Sequence, residues 1–260
     1  MSLQKDTARK IEQVLKDSLR QKFTNHNPEP AAMPFHTRLL GKDRLALYSF
    51  IHSLNTNFGT TIFEPVARVL AEKNFKVTPS NVAGKLISGD AQLTIQKIMD
   101  DLTTASASPD KAKEIELIRR VCQKGGMRKV KLTKVDLMLE NKKGEFFLFD
   151  LKTVKPNAGG FREFKRTLLE WVAVVLAVSP KATVNTMIAM PYNPYEPQPY
   201  NRWTMRGMLD LENELKVAEE FWDFLTGDNV YKDLLDCFEK VGLELKVEID
   251  DYFSKFRKKH

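Results

Sequence analysis

The sequence predicts an α/β protein in which many helices surround a small central mixed β-sheet. Two stretches, 129–140 and 145–154, alternate with period 2 and are rich in Val, Leu and Phe, which favours strands. Segment 160–178 is apolar through its second half, as is typical of a buried helix, and 183–192 predicts a further strand. A strand, a helix and a strand in this order favour a β-α-β unit beside the first hairpin.

Helical periodicity dominates the rest of the chain. Apolar residues recur three or four positions apart, which predicts helices over about 3–24, 42–58, 61–73, 91–102, 110–124, 205–226, 228–241 and 247–258. Gly59 is expected to end the second of these helices. Four prolines in 191–203 predict an irregular loop. We expect one domain over 1–260, with an N-terminal helical part (1–110), a core (about 111–192) and C-terminal loop and helices (193–260).

Positive charge is concentrated in one window of the chain. The protein has 41 Lys and Arg against 34 Asp and Glu, a net charge of +7. Residues 119–166 contain 14 Lys or Arg and five Asp or Glu, so this window carries a net charge of +9. A localised basic block predicts a polyanionic partner, with nucleic acid favoured over an anionic membrane surface.

Several classes of protein are disfavoured by motifs that the sequence lacks. The sequence contains no run of 18 apolar residues, so we expect no transmembrane helix. It also lacks the apolar core of a signal peptide. Two cysteines cannot build a disulfide framework or a Cys-x-x-Cys zinc site, so a reducing cytoplasm is expected. Glycine-rich phosphate-binding motifs are absent, which argues against a nucleotide cofactor.

The predicted hairpin brings two carboxylates together. A three-residue loop, Lys142 to Gly144 with the glycine in the left-handed conformation, pairs Asn141 with Glu145. That register places Asp136 opposite Asp150, whereas a four-residue loop would turn Asp136 to the other face. Lys152 follows Asp150 by two residues and shares its face.

Two adjacent carboxylates repel each other unless a cation lies between them, and Mg²⁺ is a natural occupant. Asp136 and Asp150 are therefore candidate metal ligands, and the Lys152 ammonium could hold or help deprotonate an attacking water. This interpretation predicts a phosphodiester-hydrolysis site. The alternative is a solvated hairpin face that carries an Asp–Lys pair.

The segment KVDLML…FFLFDLKTVKPN resembles the PD-(D/E)xK nuclease core. The wider sequence resembles the TdeIII-type group of type II restriction endonucleases, in the segments HSLNTNFGTTIFEPVA (52–67), DLKTVKPNAGGFREFKRTLLEWVA (150–173), YNPYEPQPYNRWTMRGMLD (192–210) and EEFWDFL (219–225). Two positions depart from the usual motif: Asp150 stands where many relatives have Glu, and Val135 replaces the proline before the first Asp.

The resemblance implies a Mg²⁺-dependent enzyme that hydrolyses double-stranded DNA at a short palindromic G/C-rich site of the GGNCC class. It implies 5′-phosphate and 3′-hydroxyl ends. Because both strands of a palindrome are cut, a homodimer is expected, and the C-terminal helices 228–258 are one candidate interface. A repair or recombination nuclease on the same core and a DNA-binding protein with an inactive core are the alternatives.

Glu64 has two interpretations that the sequence leaves open. Related nucleases often place a further acidic metal ligand on an upstream helix, and FGTTIFEP resembles that segment. Alternatively, Thr61-x-x-Glu64 matches a capping box, in which Glu64 would bond back to the Thr61 amide.

Candidate DNA-binding residues surround the carboxylate pair in sequence. Arg162, Lys165 and Arg166 are spaced i, i+3, i+4 and are predicted to share one helix face that contacts phosphates. Arg202 and Arg206 flank Trp203 and could read guanine with both of their donors. The alternatives are a solvated basic face and a loop whose aromatic residues pack on the body. The complete predicted set is Lys134, Lys155, Asn157, Arg162, Lys165, Arg166, Arg202 and Arg206.

Overall fold

The computed structural model describes residues 3–26, 33–78, 86–152, 158–200 and 205–255. The chain divides into two compact units, the first formed by Met1–Val69 with Asp228–His260 and the second by Leu70–Gly227. All of the strands in the described residues lie in the second unit. The predicted single domain over 1–260 with its three parts stays a prediction.

The first unit is helical throughout its described residues. Its elements are α1 (Lys5–Asn25), α2 (Pro34–Leu40), α3 (Lys42–Asn57), a π-helical turn (Phe58–Phe63), α4 (Glu64–Ala71, which ends just past the unit boundary), α10 (Tyr231–Glu244) and α11 (Lys246–Ser254). The helices of this unit pack around apolar and aromatic side chains. Helix α1 buries Ile11 and Leu15 and packs against α10. The Phe23, Phe50 and Tyr252 rings, with centroids 5.0–5.8 Å apart, form an aromatic cluster.

Helix α3 ends at Asn57, within two residues of the predicted stop at Gly59. Gly59 does not interrupt the helical path of the chain, however, because it lies in the π-helical turn that leads directly into α4. Ile62 and Phe63 in this turn are buried. Their burial is worth more than the roughly 1 kcal/mol by which a glycine weakens a helix interior.

The second unit contains every remaining element. In chain order these are β1 (Phe75–Thr78), β2 (Leu86–Ser88), α5 (Gly89–Thr103), α6 (Lys111–Arg119), β3 (Met127–Lys129), β4 (Leu137–Asn141), β5 (Phe146–Leu151), α7 (Ala158–Val178), β6 (Val184–Met190), α8 (Leu211–Glu214), β7 (Leu215–Val217) and α9 (Glu219–Thr226). The predicted mixture of a small sheet with many helices is confirmed.

The central sheet has five strands in the order β1-β4-β5-β6-β7. The first three strands pair antiparallel, and β5, β6 and β7 run parallel. The connection from β5 through α7 to β6 is the predicted β-α-β unit. Because β5, β6 and β7 are parallel, their carboxyl ends meet at one edge, where ligands bind in open α/β sheets.

Helices cover both faces of this sheet. On one face, the Phe149 ring lies 5.3 Å from that of Phe221 in α9. On the other, the Thr186 hydroxyl donates to the Leu168 carbonyl of α7. The predicted core positions of Trp171 and Trp222 are confirmed, since both side chains are buried. No described helix has the length and apolar character needed to cross a membrane.

Two predicted elements differ in the structure. The stretch 129–140 is not one strand, because β3 pairs with β2 in a separate two-stranded sheet and only β4 joins the hairpin. The stretch 205–226, predicted as a helix, contains two helices, α8 and α9, with strand β7 between them. A three-residue strand is too short to show alternation in the sequence.

Candidate active site

The hairpin between β4 and β5 has the predicted register. Leu137 pairs with Phe149 and Leu139 with Phe147. The Asn141 amide donates to the Glu145 carbonyl (3.1 Å), which closes the three-residue loop. Gly144 adopts φ 76°, the left-handed conformation that the turn requires. The register and the loop are therefore confirmed.

Asp136 lies one step before β4, where the register places it opposite Asp150. Its amide donates to the Phe149 carbonyl (3.1 Å), and its Oδ2 accepts from the Leu151 amide (2.9 Å). These two bonds fix the Asp136 carboxylate at the end of β5. The pairing of Leu137 with Phe149 supports the predicted position of Asp136 opposite Asp150, and Asp136 is close enough to raise the pKa of Asp150.

Asp150 is the most perturbed carboxyl group of this hairpin. Its side chain is 4% exposed. Its pKa is raised to about 6, chiefly because the group is buried; the Lys152 ammonium lowers the pKa, and the neighbouring Asp136 carboxylate raises it. Two adjacent carboxyls whose combined negative charge is disfavoured mark a position that a cation can take.

Lys152 completes the group that we call the acidic site, defined as Asp136, Asp150 and Lys152. Its Nζ lies 2.7 Å from Asp150 Oδ1, and its side chain is 29% exposed. The same Nζ lies 4.8 Å from the centroid of the Phe164 ring on α7, within range of a cation–π interaction. The position of Phe164 beside Lys152 could not be predicted from the sequence, because this contact depends on how α7 packs against the sheet.

The acidic site contains two carboxylates that could coordinate a metal ion. Among the described residues, no three or more His, Cys, Asp and Glu side chains come close enough to hold a metal together. Magnesium fits a two-carboxylate site, because it commonly keeps several waters and binds through one or two carboxylates and substrate phosphates. The donors present are therefore compatible with Mg²⁺.

The predicted basic face of α7 divides into exposed and buried residues. Arg162 is exposed, and Arg166 is half-buried with a guanidinium hydrogen bond to Gln96 Oε1 (2.7 Å). Lys165 is fully buried, and its Nζ lies 2.5 Å from Glu114 Oε2 and 2.7 Å from Glu214 Oε2. The predicted contact between Lys165 and a DNA phosphate is wrong, because the ammonium group is buried and bonded to two buried carboxylates.

Lys165 belongs to what we call the buried ion network, defined as Lys111, Glu114, Lys165 and Glu214. Lys111 Nζ bonds Glu214 Oε1 (2.9 Å) and the Thr186 hydroxyl (2.5 Å). Burial opposes ionisation of Glu214, but the two lysines more than offset it and lower its pKa. Burial likewise lowers the pKa of Lys111 and raises that of Glu114. The sequence analysis missed this network, which joins residues 49 to 103 positions apart.

Glu64 lies in the first unit, whereas the acidic site lies in the second. Its side chain is 11% exposed and pairs with Arg68 (2.8 Å) one turn along α4. Thr61 lies inside the π-helical turn and not at the start of an α-helix. The bond from Glu64 back to the Thr61 amide stays a prediction. The role of Glu64 as a metal ligand stays a prediction.

The other predicted DNA-binding residues fall into two groups. Lys134 and Arg206 are described and exposed. Three lie outside the described residues: Lys155, Asn157 and Arg202. The loop 191–200, which precedes Arg202, contains no helix or strand, as predicted, and Trp222 Nε1 donates to the Pro191 carbonyl at its start (2.8 Å).

Comparison with known proteins places this chain among restriction enzymes. The family model described as type II restriction endonuclease, HinfI, matches residues 3–242. The type II restriction enzyme MjaII of Methanocaldococcus jannaschii is 29% identical over 231 residues, which cover 82% of this chain and 59% of that enzyme. The type II restriction enzyme HgiCII of Herpetosiphon aurantiacus is 26% identical over 229 residues, 83% of this chain and 80% of that enzyme.

The family match is coarser than the predicted resemblance to the TdeIII-type group, which it does not confirm. It spans both units and includes the whole of the acidic site. Type II restriction enzymes are site-specific endonucleases that act on double-stranded DNA. The chain therefore belongs to the HinfI family of type II restriction endonucleases.

Proposed function

We propose that this protein is a Mg²⁺-dependent endonuclease of the PD-(D/E)xK type that cuts double-stranded DNA at a short palindromic site. The observation that carries the proposal is the acidic site, in which two adjacent carboxyls and an ammonium lie at the carboxyl end of β5. A net charge of +9 on residues 119–166 supports a DNA partner.

Each residue of the acidic site has a part in this proposal. Asp136 and Asp150 hold the metal ion, which when bound supplies positive charge to the reacting phosphate. The Leu151 amide fixes the orientation of Asp136, and the Lys152 ammonium holds the attacking water beside the phosphate. Arg162, Lys134 and Arg206 are exposed and contact the DNA around this centre.

The finer parts of the proposal come from the predicted TdeIII-type resemblance. They are a G/C-rich recognition site of the GGNCC class, products with 5′-phosphate and 3′-hydroxyl ends, action as a homodimer, and action in the cytoplasm. Two-fold protein symmetry would match the symmetry of a palindrome and give one active site for each strand.

Digestion of DNA of known sequence tests this function. We expect discrete, reproducible fragments in Mg²⁺ and none in EDTA, and mapping the fragment ends gives the site and the cut position. Random degradation or branch-specific cutting would support a repair or recombination nuclease instead.

Substitutions test the assignment of the acidic site. Asp136→Ala and Lys152→Ala should abolish cutting but leave binding to the site in Ca²⁺ largely intact. Lys142→Ala, which removes an exposed lysine from the hairpin loop, is the matched control and should cut normally. Cutting that persists in Asp136→Ala or Lys152→Ala contradicts the assignment.

A further inference from the structure

A cavity of about 390 Å³ opens at the carboxyl ends of β6 and β7, inside the second unit. Its wall includes the Tyr200 side chain and the aliphatic side chains of Leu211, Leu215 and Val217. Glu219 and Glu220, the first two residues of α9, also line it. None of these residues belongs to the acidic site or to the buried ion network.

The cavity and the acidic site share one face and one edge of the sheet. Asp150 pairs with Ile188, and Ile188 pairs with Leu215, so all three side chains point to the same face. Val217, two residues after Leu215, returns to that face at the carboxyl end of β7. Two strand spacings separate Asp150 from Leu215, roughly 10 Å. This distance corresponds to about three nucleotides along one strand of DNA.

The lining is suited to a flat ring that carries hydrogen-bond donors. Tyr200 offers an aromatic surface, and the aliphatic wall offers apolar contact. One carboxylate oxygen of Glu220 accepts from the Val217 amide (3.1 Å). The exposed Glu219 makes no side-chain hydrogen bond or ion pair within the described part of the chain.

The carboxylates determine which part of DNA this cavity accepts. Negative side chains repel phosphates, and the donors on base edges are amino groups such as cytosine N4 and adenine N6. A stacked base presents only its edge to a protein. Enzymes that hold a whole base in a pocket turn it out of the duplex and read it by stacking and by hydrogen bonds to its Watson–Crick edge.

We propose that this cavity binds one amino-bearing nucleobase, cytosine or adenine, turned out of the stack within about three nucleotides of the cleaved phosphate. Glu219 accepts a hydrogen bond from the exocyclic amino group, and Tyr200 packs on the ring. This inference rests on the proposed function and adds to it a residue that determines sequence specificity.

Amino-deletion duplexes test the role of Glu219. After the recognition site is mapped, each cytosine is replaced in turn by 2-pyrimidinone and each adenine by purine, and binding is measured in Ca²⁺. The wild-type protein should lose roughly 5- to 150-fold in affinity at one position. Glu219→Ala should bind the natural duplex more weakly than the wild-type protein does, by a similar factor. Removal of the amino group at that position should then cause no further loss of affinity through Glu219. Weaker pairing of the analogue affects both proteins equally and cancels in the comparison.

Two variants control this experiment. Glu219→Gln keeps a carbonyl acceptor and should recover part of the affinity. Glu72→Ala removes an exposed glutamate that follows α4 and should behave as wild type. If the wild-type protein and Glu219→Ala lose equal affinity at every position, Glu219 does not read the base and the inference is overturned.

Fluorescence tests whether the base leaves the stack. With 2-aminopurine beside the position identified above, site-specific binding should increase the emission as stacking is lost. No increase at either neighbouring position overturns the extruded-base model. A protein that binds every duplex equally refutes the proposed function itself, whereas a site-specific protein whose preference ignores Glu219 refutes only the role of this cavity.

Discussion

The acidic site and the buried ion network lie on the same face of the same sheet, but they differ in charge balance. Thr186, which contacts the network, pairs with Leu148, two residues before Asp150. The network combines two lysines with two glutamates, and their side chains are at most 6% exposed. The acidic site combines two aspartates with one lysine that is 29% exposed.

This difference separates a structural cluster from the candidate active site. In the buried ion network, each lysine has a carboxylate partner, so an added cation would find no uncompensated charge. The acidic site retains an excess of negative charge when both aspartates ionise, and it lies at the strand ends, where a ligand can reach it. Buried charged residues alone therefore do not identify an active site. A cluster with excess negative charge that solvent can reach is a better indication of one.

The largest effect that we expect is on stability. Lys165→Met leaves Glu114 and Glu214 buried without one of their partners and should lower the free energy of unfolding by about 3–5 kcal/mol. Lys152→Met makes the same replacement at the partly exposed lysine and should cost less than about 1 kcal/mol. Urea unfolding of the two variants measures the contrast. Equal losses would mean that the two clusters do not differ as we describe.

The next effect is on cutting. Asp150→Asn should lower the cleavage rate at least about 100-fold, because one of two metal-binding carboxylates is lost. The variant should stay folded, since the mutation removes a buried charge rather than a buried partner. Single-turnover cleavage and a melting curve measure the two properties. Normal cutting by Asp150→Asn would contradict a catalytic role for the acidic site.

The acidic site should also give stability a specific pH dependence in EDTA. The folded pKa of Asp150, about 6, exceeds its ordinary value of 3.8. At pH values between these two pKa values, the folded state therefore binds more protons than the unfolded state does. The free energy of unfolding falls as the pH rises from about 4 to about 6. Relative to Asp150→Asn, the wild-type protein should lose up to about 3 kcal/mol across this window. Unfolding measured at pH 4, 5, 6 and 7 tests this, and a constant difference contradicts the shift.

The smallest effect concerns the ring beside Lys152. Phe164→Leu keeps an apolar side chain but removes the cation–π contact, which is worth about 0.5–2 kcal/mol. We expect kcat to fall by about 2- to 30-fold with little change in KM, because Phe164 positions the ammonium and does not touch DNA. Phe164→Tyr should restore most of the rate. A loss confined to KM would instead place Phe164 in DNA binding.

Local chemistry made much of the active-site hairpin predictable. The residues Lys142 to Gly144 select a turn, the turn fixes the register, and the register places Asp136 opposite Asp150. These steps involve neighbours along the chain or across one pair of strands. The burial of Trp171 and Trp222 was similarly predictable from size and hydrophobicity.

The basic helix shows where such local arguments end. On an α-helix, Arg162 and Arg166 differ by about 40° around the axis, and Lys165 lies about 60° and 100° from them. All three fit one broad face, but the boundary between buried and exposed residues passes between them. The position of this boundary depends on the rotation of α7 against the sheet, which places Lys165 between Glu114 and Glu214 on other elements.

The sequence by itself determined the fold class, the hairpin register and the pairing of Asp136 with Asp150, because turn geometry and two-residue alternation act over short distances. Only the tertiary structure decided that Lys165 is buried in an ion network, that Phe164 lies beside Lys152, and that a cavity with Glu219 at its wall lies on the face of Asp150. Those three features join residues far apart in sequence, and their positions follow from the packing of helices on the sheet.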